Sequence, residues 1–188
     1  MSGDEMPGTE IERRFLVRVP VWAGNAASAE REHIVQFYLA AEPGRTVRIR
    51  LAGDGAVLTV KGPSVNAQRT EIECDVPLAT ARALLDAGLH VGTAIEKTRS
   101  ALPVEGLLWQ VDQFEGANAG LVIAEVELTG DDDRSAWDAR VDRHQPAWLG
   151  REITGEPHFA NSSLALHPFA RWPKAEREAV LREITATS

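Results

Sequence analysis

Carboxylates two residues apart on a strand point to the same side, so Glu10 with Glu12 and Glu125 with Glu127 make two ready pairs of oxygen ligands. Asp112, on a strand between them, could complete a site for a hard cation. Magnesium or manganese is the natural choice where phosphate oxygens fill the other positions. Arg48 with Arg50, Lys61, and Lys97 with Arg99 show the same alternation with the opposite charge. Acids and cations therefore fall on different strands. Lys97 is the candidate general base, because crowding by cations and partial burial both lower an ammonium's pKa. Tyr38 either orients the attacking water or packs as a strand tyrosine in the barrel wall.

Competing chemistries find little support. His33, His90, His144, His158 and His167 are scattered without zinc-ligand spacing, so no histidine site is expected. Gly53 and Gly55 lack the Gly-Lys-Ser continuation of a phosphate loop. Asp131-Asp132-Asp133 reads as a helix cap, since no calcium-loop spacing follows. Cys74 stands alone, which excludes an internal disulfide and fits a reducing cytoplasm; it reads as a small buried hydrophobe. The net charge of −8 argues against a nucleic-acid partner. No apolar run is long enough to span a membrane, and Met1 to Thr9 lacks the apolar core of a secretory signal. The 188 residues suit one domain over 1–188. Oligomeric state leaves no mark on the sequence.

These side chains must be positioned by strands. Alternation marks strands near 9–17, 31–40, 45–52, 56–62, 69–76, 90–102, 107–114 and 121–128, with loops at Pro20 with 24–29 and at 63–68 and a hairpin at Gly53-Asp54-Gly55. Pro77 opens a helix with Leu78, Ala81, Leu84 and Leu85 as its apolar stripe. Further helices are expected near 135–143 and from Pro173 to about 185, in a helical and irregular segment from about 131 to 188. The class is α+β, mainly antiparallel β. Any single strand fits an ordinary sandwich with a wet charged face. Taken together, the polar faces consist of charges, the two signs sit on different strands, and helices are available to cover the apolar sides. That favours charges turned inward, where they must be paired or bind ions.

The run Glu10-Ile11-Glu12-Arg13-Arg14-Phe15 resembles the opening signature, Glu-x-Glu-x-Lys, of the CYTH superfamily, the triphosphate tunnel metalloenzymes. The similarity continues through Gln36-x-Tyr38-Leu39, Thr46-Val47-Arg48-Ile49-Arg50, Leu58-Thr59-Val60-Lys61-Gly62 and Arg69-x-Glu71-x-Glu73. It extends to Ile95-x-Lys97-x-Arg99, Trp109-x-Val111-Asp112, Glu125-Val126-Glu127, Trp148 to Thr154 and Asn161-Ser162-x-Leu164. The resemblance implies a closed eight-stranded tunnel, strands at about 9–128, with helices packed outside. It implies that Glu10, Glu12, Glu125 and Glu127, with Asp112, hold metal, and that Arg14, Arg48, Arg50, Lys61 and Arg99 hold phosphoryl oxygens. Arg69, Glu71 and Glu73 either join this set or balance its charge. Arg14 replaces the signature lysine; it keeps the positive charge and offers a bidentate fork, but cannot serve as a base.

The activity implied is metal-dependent hydrolysis of a small triphosphate, with inorganic tripolyphosphate giving pyrophosphate and phosphate as the leading reading. The alternatives are an adenylate cyclase-like or thiamine triphosphatase activity, or a module that binds polyphosphate or nucleotide without turnover. Trp22 and Trp109 could stack on an organic group but are more simply packing residues. A lipocalin-like carrier needs an apolar lumen, which the charged alternation opposes.

Overall fold

Each alternating segment becomes a strand whose ionic side chains share one face and whose apolar side chains share the other. The computed structural model describes residues 11–26, 29–65, 68–128 and 133–187, and the side chains at 64, 65, 68 and 69 lie outside that description. Glu10, Asp131 and Asp132 fall outside the described residues. The strands are β1 (Ile11–Val17), β2 (Glu30–Glu42), β3 (Arg45–Ala52), β4 (Gly55–Val65), β5 (Gln68–Asp75), β6 (Val91–Val104), β7 (Leu107–Phe114), β8 (Val122–Leu128) and β9 (Leu149–Glu152). They form one antiparallel sheet in the order β5-β4-β3-β2-β6-β7-β8-β1-β9. The sheet curls far enough for β1, β2, β3, β4, β6 and β8 to line a single cavity.

Helices cover the other face. They are α1 (Val19–Trp22), α2 (Leu78–Asp86), α3 (Arg134–Arg143) and α5 (Lys174–Thr185), while α4 (Asn161–Leu166) brings its start to the cavity. Asp133 caps α3 by accepting the amide of Ala136 at 2.9 Å, as the aspartate run implied. Trp22, Trp137, Val141, Val180 and Ile184 carry α1, α3 and α5 into a core with Phe15, Trp109, Val111 and Trp148. Its aromatic rings meet edge to face, Phe15 with Trp109 at 5.8 Å and Trp109 with Trp148 at 5.7 Å. A smaller core joins Ala81 of α2 to Phe37, Ile49 and Ala56. Apolar packing outside the curl is what obliges the charged faces to look inward.

Four local expectations are corrected. Pro20 was expected in a loop but sits in the first turn of α1, where its missing N–H costs nothing. The expected loop at 63–68 is largely strand: β4 continues through Pro63, and a register shift between Lys61 and Ser64 absorbs the lost donor. β9 is an addition, paired to β1 at Phe15↔Glu152 and Val17↔Leu149. Cys74 is exposed rather than buried, on a face of the end strand β5 where Ile72 beside it is also 60% exposed.

Candidate active site

Cross-strand register brings the ionic faces together. Glu12 stands opposite Glu127 and Arg14 opposite Glu125 between β1 and β8. Gln36 faces Arg50 and Tyr38 faces Arg48 between β2 and β3, while Thr46 faces Lys61 and Arg48 faces Thr59 between β3 and β4. The resulting cavity, about 320 Å³, is lined by Glu12, Arg14, Arg48, Arg50, Lys61, Lys97, Arg99, Glu125 and Glu127, together with Gln36 and Tyr38. The start of α4 adds Asn161 and Ser162. Nine of the predicted charged residues thus share one space, and Tyr38 faces it rather than the outer wall.

Asp112 takes a different place. It is fully buried behind Lys97 and Arg99 and is not part of the lining. Lys97 Nζ donates to its Oδ2 at 2.6 Å, and Arg99 donates to Oδ1 from Nε at 2.7 Å and to Oδ2 from Nη2 at 2.6 Å. Both oxygens are committed to cations, so this arrangement fits an anchor for Lys97 and Arg99 better than the metal ligand the resemblance implied. Burial alone would raise the Asp112 carboxyl pKa; Lys97 and Arg99 outweigh it and hold it below the ordinary value. Lys97 shifts down in turn, chiefly through burial, with Asp112 opposing and the Arg99 charge assisting. Burial works against the Arg99 charge too, but Asp112 and Glu125 more than compensate and drive its pKa upward.

The remaining predicted residues sort by contact. Arg99 also donates to Glu125 Oε2 at 2.9 Å and to Gln110. Arg14 Nε lies 3.2 Å from Glu12 Oε1, and its Nη1 donates to the Phe159 carbonyl at 3.4 Å. Glu71 and Glu73 stay on β5 outside the lining. Lys61 Nζ is 3.0 Å from Glu71 Oε2, while Thr59 Oγ1 donates to Glu73 at 2.6 Å and accepts from Arg48 at 3.1 Å. Of the two roles left open for these acids, balancing the cations is the one their contacts support. Arg69 lies on β5, with its side chain outside the described residues.

The donor set suits a hard divalent cation: Glu12, Glu125 and Glu127 present carboxylate oxygens, with no thiolate or imidazole among the described residues of the lining. It also suits an anion. Arg14 Nε and Arg48 Nε are buried without a hydrogen bond among the described residues, the first meeting Glu12 only as an ion pair. Arg50 makes no hydrogen bond or ion pair among the described residues. Buried donors of this kind ordinarily find an acceptor.

Sequence reasoning assigned no role to Gln36, Thr59, Asn161 or Ser162. Gln36 and Thr59 share strand parity with Tyr38 and Lys61, a signal that was available. β2 and β6 bring His33 and Glu96 together with Glu115, their ligand atoms within 4.8 Å, but all three are exposed. None of them lines the charged cavity.

A curled antiparallel sheet with acids and cations lining one cavity and helices outside defines a tunnel-type fold. The CYTH domain model matches residues 8–156, and the chain belongs to the CYTH family. A protein of Acetivibrio thermocellus named inorganic triphosphatase is 37% identical over 164 residues, covering 86% of this chain and 96% of that protein. One of the same name from Nitrosomonas europaea is 33% identical over 167 residues, covering 84% and 97%. A solved crystal structure of an inorganic triphosphatase superposes with a TM-score of 0.60 at 27% identity, covering 85% of this chain and 95% of that one.

Proposed function

We propose that this protein hydrolyses inorganic tripolyphosphate to pyrophosphate and phosphate with the help of magnesium or manganese. One observation carries the reading: a single cavity sets carboxylates of β1 and β8 beside arginines and lysines of β3, β4 and β6. Two relatives matched over most of their length bear the name inorganic triphosphatase, which supports it. The organic alternatives are not favoured. Tyr38 is the only aromatic among the described residues of the lining, while Trp22 and Trp109 are 1% and 0% exposed in the outer core. No helix among the described residues is long and apolar enough to cross a membrane. A cytoplasmic setting is part of the proposal.

In this mechanism Arg14, Arg48, Arg50, Lys61 and Arg99 grip the phosphoryl oxygens, and Arg50 and the orphaned Nε groups gain their missing acceptors. Glu12, Glu125 and Glu127, with Glu10 as a further candidate, would hold the metal. When bound, the metal neutralises charge on the triphosphate oxygens. Lys97 in its neutral form takes a proton from a water that Tyr38 and Gln36 orient. The oxygen of that water bonds to a terminal phosphorus, the bridging P–O bond breaks, and pyrophosphate leaves. Burial makes the neutral amine accessible, and Asp112 keeps Nζ in position.

The test is a phosphate-release screen over tripolyphosphate, ATP and thiamine triphosphate with magnesium, manganese or chelator. Phosphate release from tripolyphosphate that depends on metal is expected. Cyclic AMP with pyrophosphate from ATP would identify a cyclase, and binding without release would identify a sensor; either outcome defeats the proposal.

A further inference from the structure

The charged cavity has two unlike ends. Beyond Tyr38 it meets the start of α4: Ala160, Asn161 and Ser162 line that end, and Gly92 of β6 lies so close to α4 that a Cβ there would clash with the Ala165 carbonyl oxygen. At the other end Ile34, Arg50 and Arg99 line both the main cavity and a second one of about 310 Å³. They form a waist between the two. On the far side of that waist stands Glu32, paired in register with Arg99 and lining both the second cavity and the pocket outside it.

Glu32 differs from every acid inside the main cavity. Glu12 and Glu125 are tied to arginines, whereas the Glu32 carboxylate makes no hydrogen bond or ion pair among the described residues. Arg99, its cross-strand neighbour, is committed to Asp112, Glu125 and Gln110. Glu30, exposed on the same strand face, adds a second negative charge further out. Arg31 and His33 also line the outer pocket, but alternation assigns them to the other face of β2. Tyr38 and Glu32 are six residues apart on β2, roughly 20 Å of strand at 3.3 Å per residue. The cationic stretch therefore has a length limit, with α4 at one end and, at the other, a carboxylate without an ion-pair partner among the described residues.

We infer that Glu32 sets substrate length: it excludes polyphosphates longer than the cationic stretch by repelling the phosphoryl groups that would have to pass the Arg50–Arg99 waist. This rests on the triphosphatase reading. A short triphosphate ends at the waist, on the near side of Glu32, while each further phosphoryl brings a like charge toward a carboxylate that has no ion-pair partner among the described residues.

The experiment compares kcat/KM for tripolyphosphate and for long-chain polyphosphate in the wild type, Glu32→Gln and Glu32→Lys. Both variants alter an exposed side chain and should fold normally. Tripolyphosphate turnover is expected to stay within about threefold of wild type. The ratio of long-chain to tripolyphosphate kcat/KM should rise about tenfold in Glu32→Gln, the equivalent of roughly 1.4 kcal/mol, and further in Glu32→Lys. The wild-type ratio should climb with added salt while that of Glu32→Gln barely moves. An unchanged ratio in both variants overturns the inference alone. Absence of tripolyphosphate hydrolysis by the wild type overturns the underlying reading instead.

Discussion

A carboxylate sealed from water is costly unless cations meet it, and Asp112 is met by two. Replacing it with asparagine keeps the volume but leaves Lys97 and Arg99 packed against an uncharged amide. That change should cost about 3–5 kcal/mol in urea unfolding, as for other buried pairs broken on one side. The pH dependence has a definite sign. The folded Asp112 titrates below its ordinary 3.8, so its contribution is present above that pH and fades as pH falls through the lowered value. Lys97 titrates below its ordinary 10.5, so folding sheds a proton between the two values, and that group's contribution grows as pH rises through the window. As the base, Lys97 should also impose an ascending limb on kcat/KM against pH, with a midpoint below 10.5. Lys97→Met should abolish turnover and flatten that limb while tripolyphosphate binding persists in calorimetry. Turnover that survives the substitution would remove Lys97 from the chemistry.

At the level of elements, long strands with period-two alternation were legible in the sequence because their two faces have opposite tasks. β3 sets Arg48 and Arg50 against Val47, Ile49 and Leu51, and nothing but a strand separates those sets. β9 was not legible, because four residues are too few to show a period. Its place depends on Gly150, where a Cβ would sit 3.1 Å from the Leu16 carbonyl oxygen. α4 escaped for a similar reason: six residues without a polar cap leave no helical stripe. The lining was legible because charge marks it, whereas the Asp112 anchor depends on depth behind the wall, which no strand pattern encodes. The seat of α4 makes its own prediction. Gly92 has a φ of +66° and no space for a side chain, so Gly92→Ala must push α4 off the sheet. Strain and overpacking together should cost roughly 2–4 kcal/mol. Because α4 carries Asn161 and Ser162 into the cavity, KM for tripolyphosphate should rise as well. A variant with wild-type stability and KM would show that this contact does not hold the helix.

The whole molecule carries a net charge of −8, yet its cavity concentrates six cationic side chains against three carboxylates. That inversion is possible because the acidic surplus lies elsewhere, on surfaces where water screens it. The helices that shield the apolar face thereby also hold like charges at close quarters inside, and their mutual repulsion opposes folding. A bound polyanion relieves that repulsion, so ligand affinity and folding stability are linked. At a tripolyphosphate concentration 100 times its Kd, with magnesium present, the gain is about 2.7 kcal/mol. For a chain of this size that corresponds to a Tm increase of roughly 5–11 °C. Chelating the metal should shrink the increase, because Glu12, Glu125 and Glu127 would then face the phosphoryl oxygens without a bridging cation. Replacing Arg50 with glutamine should shrink it further at little cost to the unliganded Tm, since that guanidinium has no hydrogen-bond or ion-pair partner among the described residues to lose. Differential scanning fluorimetry with tripolyphosphate, with and without EDTA, reads all three effects. A Tm indifferent to tripolyphosphate in the presence of either metal would mean that the inward-facing charges serve one another and not a ligand.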